Sequence, residues 1–193
     1  FDGPIVYVCT ERGLYKSVDC ENWALFDPAF DSDKNEYLFS EDVYAAGVDK
    51  REGVSYLWLG TSDGIAKTAN DGISWTTYRQ YLSTSEAGQP DIYAYPNPFA
   101  PNFHNATGGD GHVRIQYYLE NPATVKLEVF DFAMDRVYEG EPHYIINTED
   151  NSEVWNGRNR AGDVVANGTY FCKLTIKEND KETAHWTKLI VVK

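Results

Sequence analysis

The chain has 193 residues, enough for one or two ordinary domains, and a formal net charge of −13 at pH 7. An acidic chain without a basic patch repels phosphate backbones, and no apolar stretch has the length of a membrane span, so we expect neither a nucleic-acid partner nor membrane insertion. Aromatic residues make up 15% of the chain, and frequent glycines punctuate it, which predicts an all-β fold of many short strands.

The N-terminal part contains an internal repeat. Residues 6–17 (VYVCTERGLYKS) align with residues 57–68 (LWLGTSDGIAKT) at an offset of 64 − 13 = 51, and Trp23 and Trp75 follow at nearly the same offset. A period in this range, with a hairpin turn and a late tryptophan in each copy, is typical of β-propeller blades. We therefore expect residues 1–82 to form two blades in which Trp23 and Trp75 are equivalent packing residues.

The end of each repeat resembles the Asp-box of sialidase-like propellers. The second copy reads Thr68-Ala69-Asn70-Asp71-Gly72-Ile73-Ser74-Trp75, and the first, Ser17-Val18-Asp19-Cys20-Glu21-Asn22-Trp23, is one residue shorter and lacks the glycine. The resemblance implies a structural turn remote from any active site, carried by Thr68, Asn70, Gly72 and Trp75. Two blades cannot close a ring, because propellers have about four to eight. We expect an incomplete propeller whose open blade face favours association with further blades, another copy or a partner.

An acidic loop lies between the two repeats. Asp31, Asp33, Asn35 and Asp42 are spaced like ligands of a Ca²⁺-binding loop, but Glu36 stands where such a loop requires glycine. They are weak metal candidates, and a solvated acidic loop is the favoured interpretation.

The cysteines predict no disulfide. Cys9 and Cys20 flank a hairpin turn near residues 11–13 and would lie several residues out of register across it, too far apart for a disulfide. Cys172 alternates with polar residues on a strand, which is typical of a small core residue.

Residues 83–92 are small and polar, which predicts a linker before a second domain at 93–193. The first element of that domain, Tyr95-Pro96-Asn97-Pro98-Phe99, is extended because proline fixes φ, and it suits a sheet edge. Alternating apolar residues then predict strands at 113–119, 125–129, 136–138, 144–146, 170–176 and 186–192, with a hairpin loop at 177–182. About seven strands in this length are typical of an immunoglobulin-like sandwich.

This second domain resembles the immunoglobulin-like module of flagellar hook-capping proteins and the C-terminal sorting domains of type IX secretion cargo. The resemblance is carried by residues 95–99, Trp155-Asn156-Gly157 with Gly162, Asn167-Gly168-Thr169-Tyr170-Phe171, and the final strand. It implies structural roles for Trp155, Gly157, Gly168 and Tyr170. The family usually has glycine in the turn where this chain has Met134, so we expect that turn to use another geometry.

In such cargo the basic-apolar-basic end is engaged by the secretion machinery. The matching residues are Lys188, Leu189, Ile190, Val191, Val192 and Lys193. Alternation puts Leu189 and Val191 on one face and Ile190 and Val192 on the other. An ordinary exposed edge strand is polar on one face, so we expect the outer face here to meet another surface.

The residues contain no catalytic constellation. Four histidines are scattered without metal-ligand spacing: His104, His112, His143 and His185. A sialidase needs a cluster of three arginines, and the blade region holds only Arg12, Arg51 and Arg79, which are far apart in the sequence. We therefore expect a non-enzyme without cofactor.

The sequence as a whole indicates a fragment of a secreted bacterial surface protein. The chain begins Phe1-Asp2-Gly3-Pro4, without an initiator methionine or a signal peptide, which predicts a cut product of something longer. Its blades would serve binding or structure, and its C-terminal domain export, attachment or assembly through protein partners. Two alternatives are the tail of a hydrolase-like propeller enzyme whose active site lies upstream, and a self-assembling filament or surface-layer subunit.

Overall fold

A computed structural model describes residues 5–34, 36–79, 81–179 and 181–193. Among these residues there are seventeen strands and no helix, so the all-β prediction is confirmed. The strands form several separate sheets, and none of these sheets closes on itself within the described residues. The chain divides into two compact units. One lies within Phe1–Gln80 and takes in Asn105–Gly109, and the other consists of Tyr81–His104 and Asp110–Lys193.

The described part of the first unit has three antiparallel sheets, ordered β1-β2-β3, β4-β5 and β6-β7-β8-β9. Their strands are β1 (Val6–Thr10), β2 (Gly13–Ser17), β3 (Ala24–Leu25), β4 (Phe30–Asp31), β5 (Glu36–Tyr37), β6 (Val43–Arg51), β7 (Val54–Thr61), β8 (Gly64–Thr68) and β9 (Thr76–Tyr78). The core of this unit takes buried side chains from both larger sheets, among them Leu14, Leu57, Leu59, Ala66 and Trp75.

The two larger sheets are built on the same hairpin. In one, the hydroxyl of Thr10 donates to the carbonyl of Gly13 at 2.8 Å; in the other, Thr61 donates to Gly64 at 3.0 Å. Gly64 has φ +144°, and a Cβ there would lie 2.8 Å from the carbonyl oxygen of Tyr78, so the close approach of β9 requires glycine. The repeat read from residues 6–17 and 57–68 is thus present as a repeated hairpin.

The second unit contains two sheets that share one core. One has the order β10-β11-β15, and the other has the order β13-β12-β16-β17, with β14 also paired to β12. The strands are β10 (Ile92–Tyr95), β11 (Val113–Leu119), β12 (Ala123–Phe130), β13 (Arg136–Glu139), β14 (His143–Ile145), β15 (Glu149–Trp155), β16 (Gly168–Glu178) and β17 (Lys181–Val191). Inward-facing residues alternate along β11, β12 and β16, as period 2 predicts. Phe99, Tyr117 and Trp155 are the largest fully buried side chains of this core.

Two details of this unit differ from the prediction. The loop expected at 177–182 is much shorter, because β16 continues to Glu178 and β17 already begins at Lys181. Strand β15 was not predicted, since the six residues before Trp155 carry no clear apolar alternation. It forms because it pairs with β11 along its whole length. The polar residues of β15 face neighbours rather than open water, as its mostly half-buried pattern indicates.

The three cysteines are free. Cys9 lies opposite Leu14 across the first hairpin, and Cys20 is exposed in the turn beyond it. Cys172 is fully buried, and burial raises the pKa of its thiol to about 12. A thiol with such a pKa is protonated at neutral pH and unreactive.

Candidate functional site: the closing strand and its cover

The last strand of the sheet, β17, carries the residues singled out at the C-terminus. Leu189 and Val191 are fully buried, whereas Ile190 and Val192 are 38% and 42% exposed. The strand therefore carries apolar side chains on both its inner and its outer face, as the sequence predicted. Lys188 is exposed on the outer face, and the Nζ of Lys193 donates to the carbonyl of Val164 at 3.2 Å.

Residues 95–99, hereafter the proline segment, cover the free edge of β17. The side chain of Asn97 makes two hydrogen bonds to this edge: its Nδ2 donates to the carbonyl of Lys188 at 2.9 Å, and its Oδ1 accepts from the N–H of Ile190 at 3.0 Å. The backbone of Phe99 then continues the pairing, donating to the carbonyl of Ile190 at 2.8 Å and accepting from the N–H of Val192 at 2.9 Å. The Tyr95-Pro96 and Asn97-Pro98 peptide bonds are cis.

This arrangement follows from the chemistry of proline. Pro96 and Pro98 have no N–H to donate, so a proline segment alone cannot pair with a strand along its length. The carboxamide of Asn97 presents an N–H donor and an oxygen acceptor to the edge in nearly the spacing of a peptide group, and it replaces the missing backbone pair. The edge of β17 from Lys188 to Val192 is consequently hydrogen-bonded.

Three aromatic side chains singled out in the sequence, Phe99, Trp155 and Tyr170, meet beneath this edge. The Phe99 ring centroid lies 6.4 Å from that of Trp155, which lies 5.9 Å from that of Tyr170. The Tyr170 hydroxyl donates to the carbonyl of Ala166 at 2.9 Å, and burial raises its pKa. Gly168 starts β16 and pairs with Val191. Separate stretches of the sequence signature thus converge on the closing strand.

Gly157 allows that convergence. It has φ +74°, and a Cβ there would lie 2.7 Å from the Pro101 side chain and 3.0 Å from the Phe99 ring. The turn around it is fixed by the Trp155 indole N–H, which donates to the carbonyl of Arg158 at 2.9 Å. Arg158 also binds Asp110 through two hydrogen bonds of 2.8 and 2.5 Å, and these hold the pKa of Asp110 below its usual range.

The expectation of another geometry at Met134 is wrong. Met134 has φ +66°, the left-handed conformation that a glycine would adopt. Its N–H donates to the carbonyl of Asp131 at 3.0 Å, and the Asp131 carboxylate accepts from the N–H groups of Ala133 and Asp135. The hydrogen-bonded turn imposes the conformation on a residue that disfavours it.

Residues 68–75, which resemble an Asp-box in sequence, form a self-capped turn. The Thr68 hydroxyl accepts from the N–H of Gly72 at 3.0 Å, and the Asn70 carboxamide oxygen accepts from the N–H of Ser74 at 3.0 Å. Gly72 has φ +86°, and a Cβ there would lie 2.7 Å from the Phe26 ring. These residues serve the turn itself and present no reactive group.

The first copy repeats the same bonds in a turn one residue shorter. The Ser17 hydroxyl accepts from the N–H of Cys20, and the Asp19 carboxylate accepts from those of Glu21 and Asn22. The N–H of Asn22 is the main cause that lowers the pKa of Asp19. Ser17 and Asp19 thus accept in the first turn the hydrogen bonds that Thr68 and Asn70 accept in the second.

The two tryptophans are equivalent in register but not in burial. Ala24, after Trp23, pairs with Lys16 as Thr76, after Trp75, pairs with Lys67. Trp75 is 6% exposed and packs on the Phe26 ring at 6.1 Å, whereas Trp23 is 43% exposed. The expected equivalence in packing is therefore wrong: the Phe26 ring covers Trp75, whereas Trp23 faces solvent.

The acidic loop does not gather its carboxylates around one point. Asp31 is 2% exposed, and its oxygens accept from the backbone N–H groups of Thr77, Asp33 and Lys34 at 2.8–3.2 Å. Asp42 lies elsewhere: burial raises its pKa, and the nearby carboxylates of Glu11 and Glu41 raise it further. Asn35 lies outside the described residues. Among those described, no group of three His, Cys, Asp or Glu side chains is placed to hold a metal ion.

One polar cluster of the second unit was missed by the sequence reading. Glu153 on β15 accepts from the Tyr117 hydroxyl at 2.9 Å and lies 3.3 Å from His143 Nε2. Burial raises the pKa of Glu153, and the nearby His143 offsets this only in part. Burial also raises the pKa of Tyr117. Because the three residues come from β11, β14 and β15, only their pairing in space reveals the cluster.

No protein-family model and no curated protein matches the chain. Among solved structures it is similar to dimeric latent PorU from Porphyromonas gingivalis, with 17% identity and a TM-score of 0.42 over 79% of this chain and 13% of that one. It is also similar to PorZ, an essential surface component of the type-IX secretion system of the same bacterium, with 22% identity and a TM-score of 0.36 over 97% of this chain and 21% of that one. The chain thus spans less than a quarter of either protein, and at TM-scores below 0.5 neither likeness assigns it an activity.

In the part of the chain that the structure describes, no helix is both long enough and apolar enough to cross a membrane.

Proposed function

We propose that the chain is part of a secreted bacterial surface protein and that its second unit is a non-catalytic module for export, attachment or assembly. In this proposal the unit is an immunoglobulin-like sandwich of the hook-capping and type IX sorting-domain kind. The pairing of two antiparallel sheets around one core supports the proposed fold. The observation that carries the proposed function is the convergence of the proline segment, Trp155, Gly157 and Tyr170 on the closing strand.

The closing strand has one side left for a partner. Its inner face is buried, and its edge from Lys188 to Val192 is bonded to the proline segment. The outer face offers Lys188 and the exposed apolar side chains of Ile190 and Val192. A protein of the secretion machinery would therefore recognise this face rather than extend the sheet by pairing with the edge.

For the first unit we propose two blades of an incomplete propeller with a binding or structural role. The four-stranded meander β6-β7-β8-β9, the repeated hairpin and the repeated capped turn support this. Its natural partners are further blades of the same protein. Trp23, at 43% exposed, is the side chain of the first repeat that such a partner would cover.

The proposal assigns no catalysis to this chain. Three of its histidines have separate structural partners: His104 accepts from the N–H of Ala100, His143 lies beside Glu153, and His185 lies 3.0 Å from Asp91. These placements support structural roles for them.

An export assay tests the function. A reporter fused ahead of the whole chain is expressed in a bacterium with a type IX system, and we expect it at the cell surface. The double variant Lys188→Glu, Lys193→Glu should hold the reporter in the periplasm, whereas Lys177→Glu, Lys181→Glu, at the other end of the same hairpin, should be exported. Circular dichroism of the purified variants checks their folding. A wild-type fusion that stays in the periplasm, or equal export of both double variants, would overturn the proposal.

A further inference from the structure

The outer face of the sheet formed by β12, β16 and β17 carries four neighbouring aromatic rings, which we name the aromatic patch. They are Phe130, Phe132, Phe171 and Trp186. Phe130 lies opposite Phe171 across β12 and β16; its ring centroid is 5.4 Å from that of Trp186, and the ring of Phe132 is 6.4 Å from that of Phe171. Phe132 is 78% exposed and Trp186 47%, so the patch is open to solvent.

Basic side chains surround the patch. Glu128, which is almost buried, is contacted by Lys126, Arg136 and Lys173 at 3.7, 2.5 and 3.3 Å. Lys126 and Arg136 also bind Glu139, at 2.6 and 2.9 Å, so three basic groups face two carboxylates and the cluster keeps one positive charge in excess. Arg160 reaches the same face from a loop and binds Glu139 at 2.6 Å.

The strand positions of this face have the opposite sign to the chain as a whole. These outward positions hold five bases (Lys126, Arg136, Lys173, Lys177 and Lys188) against three acids (Glu128, Glu139 and Glu182), an excess of 5 − 3 = 2 positive charges. The turn after β12 adds Asp131 and Asp135, and the Asp131 carboxylate accepts two N–H groups of that turn. The whole chain carries −13. A positive region on an acidic protein steers an acidic partner to that region and away from the remaining surface.

We propose that this face binds an acidic polypeptide segment that carries aromatic or aliphatic side chains beside its carboxylates. The patch receives the apolar side chains, because exposed rings of this number mark an interaction surface rather than ordinary solvent-facing residues. The surrounding lysines and arginines receive the carboxylates. The proposal rests on β12, the turn after it, β16 and Trp186 of β17, and of the proposed export residues only Lys188 lies on this face.

A densely charged polymer fits this face less well. Nucleic acid places a charge about every 1.7 Å and needs a matching row of free cations, whereas Lys126, Arg136 and Lys173 here are shared with Glu128. Spaced carboxylates alternating with apolar groups match the pattern better.

A binding titration of the whole chain tests the proposal. The probe is a fluorescein-labelled glutamate–tyrosine copolymer, followed by anisotropy in about 0.15 M salt, where the Debye length is about 8 Å and distant acidic groups are screened. We expect saturable binding that weakens as salt rises. Phe132→Ser and Lys173→Gln should each weaken it about fivefold or more, the loss typical of a contributing interface residue.

Two matched variants serve as controls. Phe103→Ser removes another phenylalanine that is also 78% exposed, and Lys181→Gln removes an exposed lysine at the far end of β17. Both should bind within about twofold of the wild type, since neither lies at the patch. A second copy of this chain is itself acidic and could supply the segment. Sedimentation of the chain alone tests this case. Self-association that is lost in Phe132→Ser would support the proposal.

Three results would overturn it. They are no saturable binding of the copolymer, equal losses in the test and control variants, and equal or tighter binding of polyglutamate or dextran sulfate. The last would mean that charge alone is recognised and that the aromatic patch has no part. Each can occur while the reporter of the export assay still reaches the surface, so failure of this proposal is distinct from failure of the proposed function.

Discussion

Replacing Asn97 with alanine removes both side-chain hydrogen bonds to the edge of β17 while leaving the backbone bonds of Phe99 in place. An intramolecular hydrogen bond contributes about 0.5–1.5 kcal/mol net. Both bonds here are exposed, so water replaces the lost partners and no buried group is left unsatisfied. We therefore expect the variant to lose about 1–2 kcal/mol in free energy of unfolding.

Urea unfolding followed by circular dichroism measures that loss, and amide hydrogen exchange locates it. The N–H of Ile190 loses its acceptor, so its exchange should quicken about 5–30-fold, the factor that corresponds to 1–2 kcal/mol. Leu189, whose N–H points the other way towards β16, should change only as far as global stability changes. Asn102→Ala, a nearby exposed asparagine, should remain within about 0.5 kcal/mol of the wild type. An Asn97 variant as stable as this control, with unchanged exchange at Ile190, would refute the covering role.

Four further outcomes are expected. Trp75→Ala should cost about 3–5 kcal/mol in urea unfolding, because it empties a buried aromatic site, and the exposed Trp23→Ala under about 1 kcal/mol; equal losses would contradict the packing described. Met134→Gly should raise the free energy of unfolding by about 0.5–1 kcal/mol, since glycine relieves the positive φ, and a destabilised variant would argue against a left-handed turn. The raised pKa of Glu153 means that the folded chain holds this proton more tightly than the unfolded chain; its contribution is therefore present below the ordinary value of 4.5 and is lost as pH rises through the raised pKa. The difference between wild type and Glu153→Gln in urea unfolding should change with pH in that direction, and a constant difference would be evidence against it. Calorimetric titration should find no micromolar Ca²⁺ site in the acidic loop, because Asp31 already accepts backbone hydrogen bonds; tight binding there would show the opposite.

The sequence predicted those strands whose two faces differ in polarity. Apolar core residues alternate with mainly polar residues along β11, β12 and β16, and in β11 this holds although Arg114 and Gln116 are themselves buried. Strand β15 shows no such alternation, because its polar residues are satisfied by neighbours such as Tyr117 and His143, which are distant in the chain. The period-2 alternation of apolar and polar residues arises where one face of a strand meets the core and the other meets polar surroundings. A strand with half-buried polar residues shows little such alternation and is hard to predict.

The candidate site was predicted in part. The proline segment was read as lying along a sheet edge, but its partner was not identifiable, because Asn97 and Lys188 are 91 residues apart. The geometry at Met134 was mispredicted because glycine's preference for positive φ was taken to exclude other residues, whereas a hydrogen-bonded turn imposed it. Local residue type predicts what a backbone prefers, and long-range pairing decides what it adopts.

The cover on the closing strand also limits how the protein can aggregate. An exposed sheet edge is a template onto which another chain can add, and natural proteins blunt such edges with proline. Pro96 and Pro98 have no N–H groups, so the segment that occupies the edge from Lys188 to Val192 offers no continuous row of donors on its own far side. Pairing with another β-sheet is thereby stopped at the end of β17 that carries the proposed export residues. Edge-to-edge growth would have to begin on the earlier part of the strand, where Lys181, Glu182 and His185 place ionisable groups against it.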